Sequence, residues 1–170
     1  MKTYTIKVCD DGTKSWYLND QLHREDGPAI EYADGTKFWY INGKRHREDG
    51  PAIEYAGGSK FWCINGKLHR EDGPAIEWSD GDKYWYINDQ HHREDGPAVE
   101  RASGSKFWCI NGKLHREDGP AIEWSDGTKA WYINDKQLTR EQFDARNKPK
   151  PTCAGKVVEI GGVKYKLVEA

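Results

Sequence analysis

The string His-Arg-Glu-Asp occurs five times, beginning at His23, His46, His69, His92 and His115. An imidazole, a guanidinium and two carboxylates side by side nominally supply a general base, an orienting acid and an anion clamp. A catalytic reading nevertheless needs one enclosed constellation whose members are pushed to different pKa values. Five near-identical copies predict five equivalent, solvated environments, and no repeat stands out as chemically different, so no enzyme is expected and no catalytic residue is assigned. A metal reading fares little better. His46 and Asp49 offer two ligands per repeat, too few for a zinc site, and no Cys-x-x-Cys spacing is present, so neither metal nor cofactor is expected.

Two uses of this row remain. In the first it is a structural turn: Arg47 pairs with Glu or Asp of the next repeat, Asp49-Gly50-Pro51 makes the turn, and His46 hydrogen-bonds to backbone. In the second, His46, Arg47, His69, Arg70, His92, Arg93, His115 and Arg116 form a recognition edge that sequesters a nucleotide-type or other anionic small ligand. The neighbouring carboxylates weaken the field that such an edge would need.

The elements that carry the row follow from its spacing. His-Arg-Glu-Asp-Gly-Pro-Ala recurs every 23 residues, and Trp16, Trp39, Trp62, Trp85, Trp108 and Trp131 keep the same period. A fixed period of this length marks a repeat architecture. Residues 58–81 and 104–127 are identical, two repeats apart, which points to duplication of a two-repeat unit. Within a unit, Lys37-Phe38-Trp39-Tyr40-Ile41 is aromatic and β-branched and stops at Asn42-Gly43, a strong hairpin signal. Pro51 marks the start of a second short strand, Ala52-Ile53-Glu54-Tyr55, because proline cannot donate to a ladder. Turn residues such as Ala33-Asp34-Gly35 and Ser79-Asp80-Gly81 end it. The fold expected is all-β: an elongated antiparallel sheet of about six tandem 23-residue hairpins over residues 1–137.

A Thr139–Gln142 capping-box pattern predicts a short helix from about Arg140 to Arg146 that closes the array. It is followed by a stiff Pro/Lys linker, so that residues 138–151 form the cap and linker. Residues 152–170 form a tail with a Gly161-Gly162 hairpin between Lys156 and Val168. At the other end, Tyr4–Val8 resembles the second strand of a missing repeat.

Alternation along each strand assigns the faces. Trp39 and Ile41 point one way, Phe38 and Tyr40 the other; Ile53 and Tyr55 share a face opposite Ala52 and Glu54. Trp39, Ile41, Ile53 and Tyr55 are expected to stack as one continuous ladder. The opposite face then presents Tyr17, Phe38, Tyr40, Phe61, Tyr84, Tyr86, Phe107 and Tyr132, and a single-layer sheet with an exposed aromatic face offers an interface. His91, where Leu68 and Leu114 stand in other repeats, reads as drift.

Bulk properties narrow the classes further. Of the 170 residues, 32% are charged yet the net charge is only -2, which gives no basic footprint for nucleic acid and no case for an acidic mimic of it. Hydrophobic content is 36%, concentrated in eight Trp, nine Tyr and four Phe, as suits a thin sheet whose few buried positions must each cover much area. No apolar run reaches the length of a membrane helix, and Met1–Lys7 lacks the apolar centre of a signal peptide. Cys63 and Cys109 lie two repeats apart, roughly 19 Å at four strand spacings, too far for a disulfide. Free thiols and the absent leader lead us to expect a cytoplasmic protein.

Tyr32-Ala33-Asp34-Gly35-Thr36-Lys37-Phe38-Trp39, followed by Asn42-Gly43-Lys44-Arg45-His46, resembles the MORN-type repeat over about residues 10–137. This chain departs from that pattern in carrying Arg-Glu-Asp-Gly-Pro-Ala where the family shows Gly-x-Gly. The resemblance implies an antiparallel hairpin array used for scaffolding and protein contacts. The hairpin between Lys156 and Val168 is similar to a tail found at the ends of many phage-encoded proteins, which implies a phage origin. Together these give the expected function: a non-catalytic protein-binding or scaffold protein, phage-encoded, that inhibits a host defence protein by occluding it, with self-association as a dimer also open.

Overall fold

A computed structural model describes residues 3–147 and 157–166. The chain divides into two compact units, Met1–Leu138 and Thr139–Ala170. The first is the repeat array, built on one antiparallel sheet of fourteen strands, thirteen of them in a single path. The path runs through Tyr4–Val8, Lys14–Leu18, Ile30–Glu31, Lys37–Phe38, Ile53–Glu54 and Lys60–Phe61, and continues in this alternation to Lys129–Ile133 and Lys136–Leu138. Gln21–Leu22 branches from Lys14–Leu18. Among the described residues no helix is long and apolar enough to cross a membrane.

Each interior repeat contains two hairpins where the sequence suggested one. Lys37–Phe38 and Ile53–Glu54 belong to the long sheet, whereas Tyr40–Ile41 and Lys44–Arg45 pair only with each other beside it. The chain changes over at Trp39, whose N–H donates to Ala52 O at 2.8 Å and whose carbonyl accepts from His46 N–H at 3.1 Å. The small hairpin closes through Asn42 (φ 48°) and Gly43 (φ 72°), the two positive φ values that a tight hairpin turn requires. It also locks onto the preceding repeat, because Gly43 N–H donates to Leu22 O and Arg24 N–H donates to Tyr40 O. The two end repeats keep uninterrupted five-residue strands, Lys14–Leu18 and Lys129–Ile133.

The cross-strand register sorts the sheet into two rows. In one, Lys14, Glu31, Lys37, Glu54, Lys60, Glu77 and Lys83 stand directly opposite one another in turn, and the alternation runs on through Glu100, Lys106, Glu123 and Lys129. Opposite charges facing across strands each contribute about 0.2–1 kcal/mol, and a one-residue slip would set Lys against an apolar side chain. In the other row, Ile30, Phe38, Ile53, Phe61, Ile76, Tyr84, Val99, Phe107 and Ile122 alternate an aliphatic residue with a ring. Ile53, Ile76, Val99 and Ile122 are buried and form the thin core of the array.

This register corrects the face assignment. Phe38 is the Cα partner of Ile53, so the two share a face, and the Tyr55 ring touches Phe38 and Phe61. Phe38, Tyr40, Ile53 and Tyr55 therefore lie together, while Trp39 falls on the other side. Alternation within each strand holds, but the offset between strands differs by one residue from the expectation, which exchanges the faces of the whole partner strand.

In the second unit the helix spans Arg140–Asn147. Its N-terminus is a reciprocal capping box: Gln142 N–H donates to Thr139 Oγ1 at 3.2 Å, and Thr139 N–H donates to Gln142 Oε1 at 2.9 Å. The terminal hairpin pairs Val157–Ile160 with Val163–Lys166 across Gly161-Gly162. The expected linker over 148–151, together with Lys156, Leu167 and Val168, lies outside the described residues.

Candidate binding surfaces

The His-Arg-Glu-Asp-Gly-Pro-Ala string folds into one module, repeated five times. The Arg47 guanidinium stacks on the Trp39 indole, 4.2 Å from its centroid. Its Nε donates to Asp49 Oδ1 at 2.9 Å, and one Nη donates to both Pro51 O at 3.3 Å and Glu54 Oε1 at 3.0 Å. Arg24, Arg70, Arg93 and Arg116 repeat this set on Trp16, Trp62, Trp85 and Trp108. Gly50 is explained by the same contact: a Cβ there would sit 2.9 Å from Arg47 Cζ. The carboxylate partners belong to the same repeat as the arginine, a correction to the expected pairing with the next one. The histidine of this module does reach the next repeat, because Asn65 N–H donates to His46 Nδ1 at 3.1 Å. An N–H arriving at Nδ1 makes that nitrogen the acceptor and turns Nε2 toward Glu48, 3.6 Å away.

Each guanidinium is thus engaged by two carboxylates and one carbonyl. The arginine pull holds Asp26, Asp49, Asp72, Asp95 and Asp118 below the usual carboxylate range, through the hydrogen bond first and Coulomb attraction with it. An anionic ligand on this row would meet arginines that already hold two carboxylates each. Successive modules enclose four equivalent grooves. Among the described residues no group of three or more His, Cys, Asp or Glu stands close enough together to hold a metal ion.

The opposite face carries the aromatic residues. Tyr17, Phe38, Tyr40, Phe61, Tyr84, Tyr86, Phe107 and Tyr132 are all half-buried. More exposed are Tyr55 (40%), expected on the other side, and the rings at the same position of other repeats, Tyr32 (42%), Trp78 (44%) and Trp124 (37%). Tyr32, Phe38, Tyr55, Phe61 and Trp78 form an unbroken edge-to-face chain with centroids 5.1–5.8 Å apart. Cys63 and Cys109, at the Tyr40 position of their repeats, are buried and free, and burial pushes both thiols up to about 11. Cys9 is free and exposed.

Position 101, where neighbouring repeats have Tyr55, Trp78 and Trp124, is an arginine. Arg101 donates to Asp82 Oδ2 at 2.9 Å and lies over the Tyr84 ring at 5.0 Å. Asp82 stands where other repeats have Thr36, Ser59 or Ser105. Its Oδ1 accepts from Ala102 N–H at 2.7 Å, as Thr36 Oγ1 accepts from Ala56 N–H and Ser59 Oγ from Ser79 N–H. That backbone bond, followed by Arg101 and the Tyr84 hydroxyl, keeps the Asp82 carboxyl below its usual range. His91 stacks on Tyr86 with centroids 4.1 Å apart, and its Nε2 lies 3.0 Å from the Tyr86 hydroxyl. Burial, with a smaller push from Arg101, holds the His91 pKa below the usual histidine value.

The fourth repeat is therefore chemically distinct, contrary to the sequence reading, and His91 is part of a connected group with Asp82, Tyr84, Tyr86 and Arg101. The available signal is that the departures at 82, 84, 91 and 101 all fall within one 23-residue period. Comparison with family models and with curated proteins gives no match for this chain, so its functional reading rests on these surfaces.

Proposed function

We propose that the array is a non-catalytic binding protein that holds a protein partner on its aromatic face. The observation that carries this reading is the row of exposed rings at Tyr32, Tyr55, Trp78 and Trp124, one per repeat, with Arg101 set among them. Interface hot spots are enriched in Trp, Tyr and Arg, and contiguous exposed aromatic area is uncommon on a surface that meets only water. Arg101 is fixed by Asp82 and Tyr84 before any partner arrives, which lowers the ordering cost of binding. The resemblance of residues 32–46 to the MORN-type repeat supports the same class, a scaffold for protein contacts. In its finer form the partner is a host defence protein, occluded by a phage-encoded inhibitor, and the tail resemblance supports that form.

Affinity capture from a bacterial lysate, with the Tyr55→Ala/Trp78→Ala/Arg101→Ala variant alongside the parent, tests the reading. One stoichiometric protein retained by the parent and lost by the folded variant is the expected result. Equal retention by both would remove this face as the interface.

A further inference from the structure

The grooves on the opposite face are the other repeated surface. The groove between the first two modules is lined by Arg24, Glu25, Asp26, Gly27 and Pro28 from one repeat and Trp39, Ile41, His46, Arg47, Glu48 and Asp49 from the next. The other three repeat this set one period further along. Indole and isoleucine supply the apolar lining. The charge is one-sided: two guanidinium groups stand against four carboxylates. The guanidinium groups are withdrawn, Arg47 being 23% exposed and bound by Asp49 and Glu54, whereas Glu48 and Asp49 are each 85% exposed. A ligand entering a groove therefore meets aromatic surface and negative charge, the complement of a cationic chain with an apolar backbone or stem.

Spacing narrows the class. Two strands of the long sheet separate equivalent residues of successive repeats, about 9.6 Å at the usual strand spacing. A polyproline II helix has three residues per turn at about 3.1 Å each, or about 9.3 Å per turn. Such a segment presents every third side chain on one edge, and aromatic-lined grooves are the common docking sites for that helix. We propose that this face binds an extended polyproline II peptide carrying Lys or Arg at every third residue, one basic side chain to each groove.

The probe is a Pro-Pro-Lys repeat peptide long enough to span the four grooves, titrated calorimetrically into the full chain. A second peptide of the same composition has its lysines gathered at one end. Expected are saturable binding of the first that weakens as salt is raised, and clearly weaker binding of the second. The Glu48→Gln/Glu71→Gln/Glu94→Gln variant leaves every Arg–Asp pair in place, and it should bind about tenfold more weakly. Trp78→Ala, on the other face, should bind unchanged. No binding of the Pro-Pro-Lys peptide overturns the proposal. Equal binding of the clustered peptide overturns the groove-by-groove register, and loss in Trp78→Ala with retention in the glutamine variant places the peptide on the wrong face.

Discussion

Replacing Gly73 with alanine tests whether the arginine module is as tightly built as its geometry implies. Gly73 has no positive φ, so alanine is allowed by the backbone; the obstacle is the Arg70 side chain, whose Cζ would lie 2.9 Å from the new Cβ. Ordinary contact begins near 3.4 Å, so the guanidinium must move by about half an ångström or more. It is pinned by the Trp62 ring at 4.1 Å, by Pro74 O at 3.2 Å and by Glu77 at 3.2 Å. Loss of the ring contact costs about 0.5–1 kcal/mol and loss of the carbonyl bond about 1 kcal/mol. Restricting the unfolded chain returns about 0.4–1 kcal/mol. Gly73→Ala should therefore destabilise by about 1 kcal/mol. In an Arg70→Ala background, where the clash is gone, the same change should stabilise by about 0.4–1 kcal/mol. Urea denaturation of the four proteins, followed by tryptophan fluorescence, measures a coupling of about 1.5–2 kcal/mol. Equal effects of Gly73→Ala in both backgrounds would refute the reasoning, because the cost would then lie in the backbone and not in the arginine.

Two further outcomes follow from the ionisable groups. The folded pKa of His91 is depressed, so the unfolded chain takes up a proton first as pH falls below about 6.5. Its contribution to stability is complete above that value and is lost as pH falls toward the folded pKa, so His91→Leu should flatten the decline between pH 7 and 5; an unchanged slope counts against the buried neutral imidazole. In a Cys153→Ser background, Cys9 should react rapidly with a thiol reagent at pH 8. Cys63 and Cys109, buried and pushed up to about 11, hold about one thiolate per thousand and should react only on unfolding. Three fast thiols would show that the sheet opens at those positions.

Local signals in the chain determined the repeat, its turns and its ends. The 23-residue period is read directly off the chain, and the Asn-Gly turn at Asn42-Gly43 and the Thr139–Gln142 capping box each depend on residues whose relation is fixed by short-range backbone geometry. Alternation along Phe38-Trp39-Tyr40 likewise needed no tertiary information. The tertiary structure decided how one strand is offset against the next, and with it the composition of each face. The pairing of Phe38 with Ile53 is set by how the chain leaves the long sheet at Trp39 and returns at Ala52, and in the run between them Lys44–Arg45 turns back on Tyr40–Ile41 as a strand too short for periodicity to announce. The same holds for the union of Asp82 with Arg101: the pair is 19 residues apart, and it meets only because the strands Lys83–Tyr84 and Val99–Glu100 pair antiparallel and bring their ends side by side.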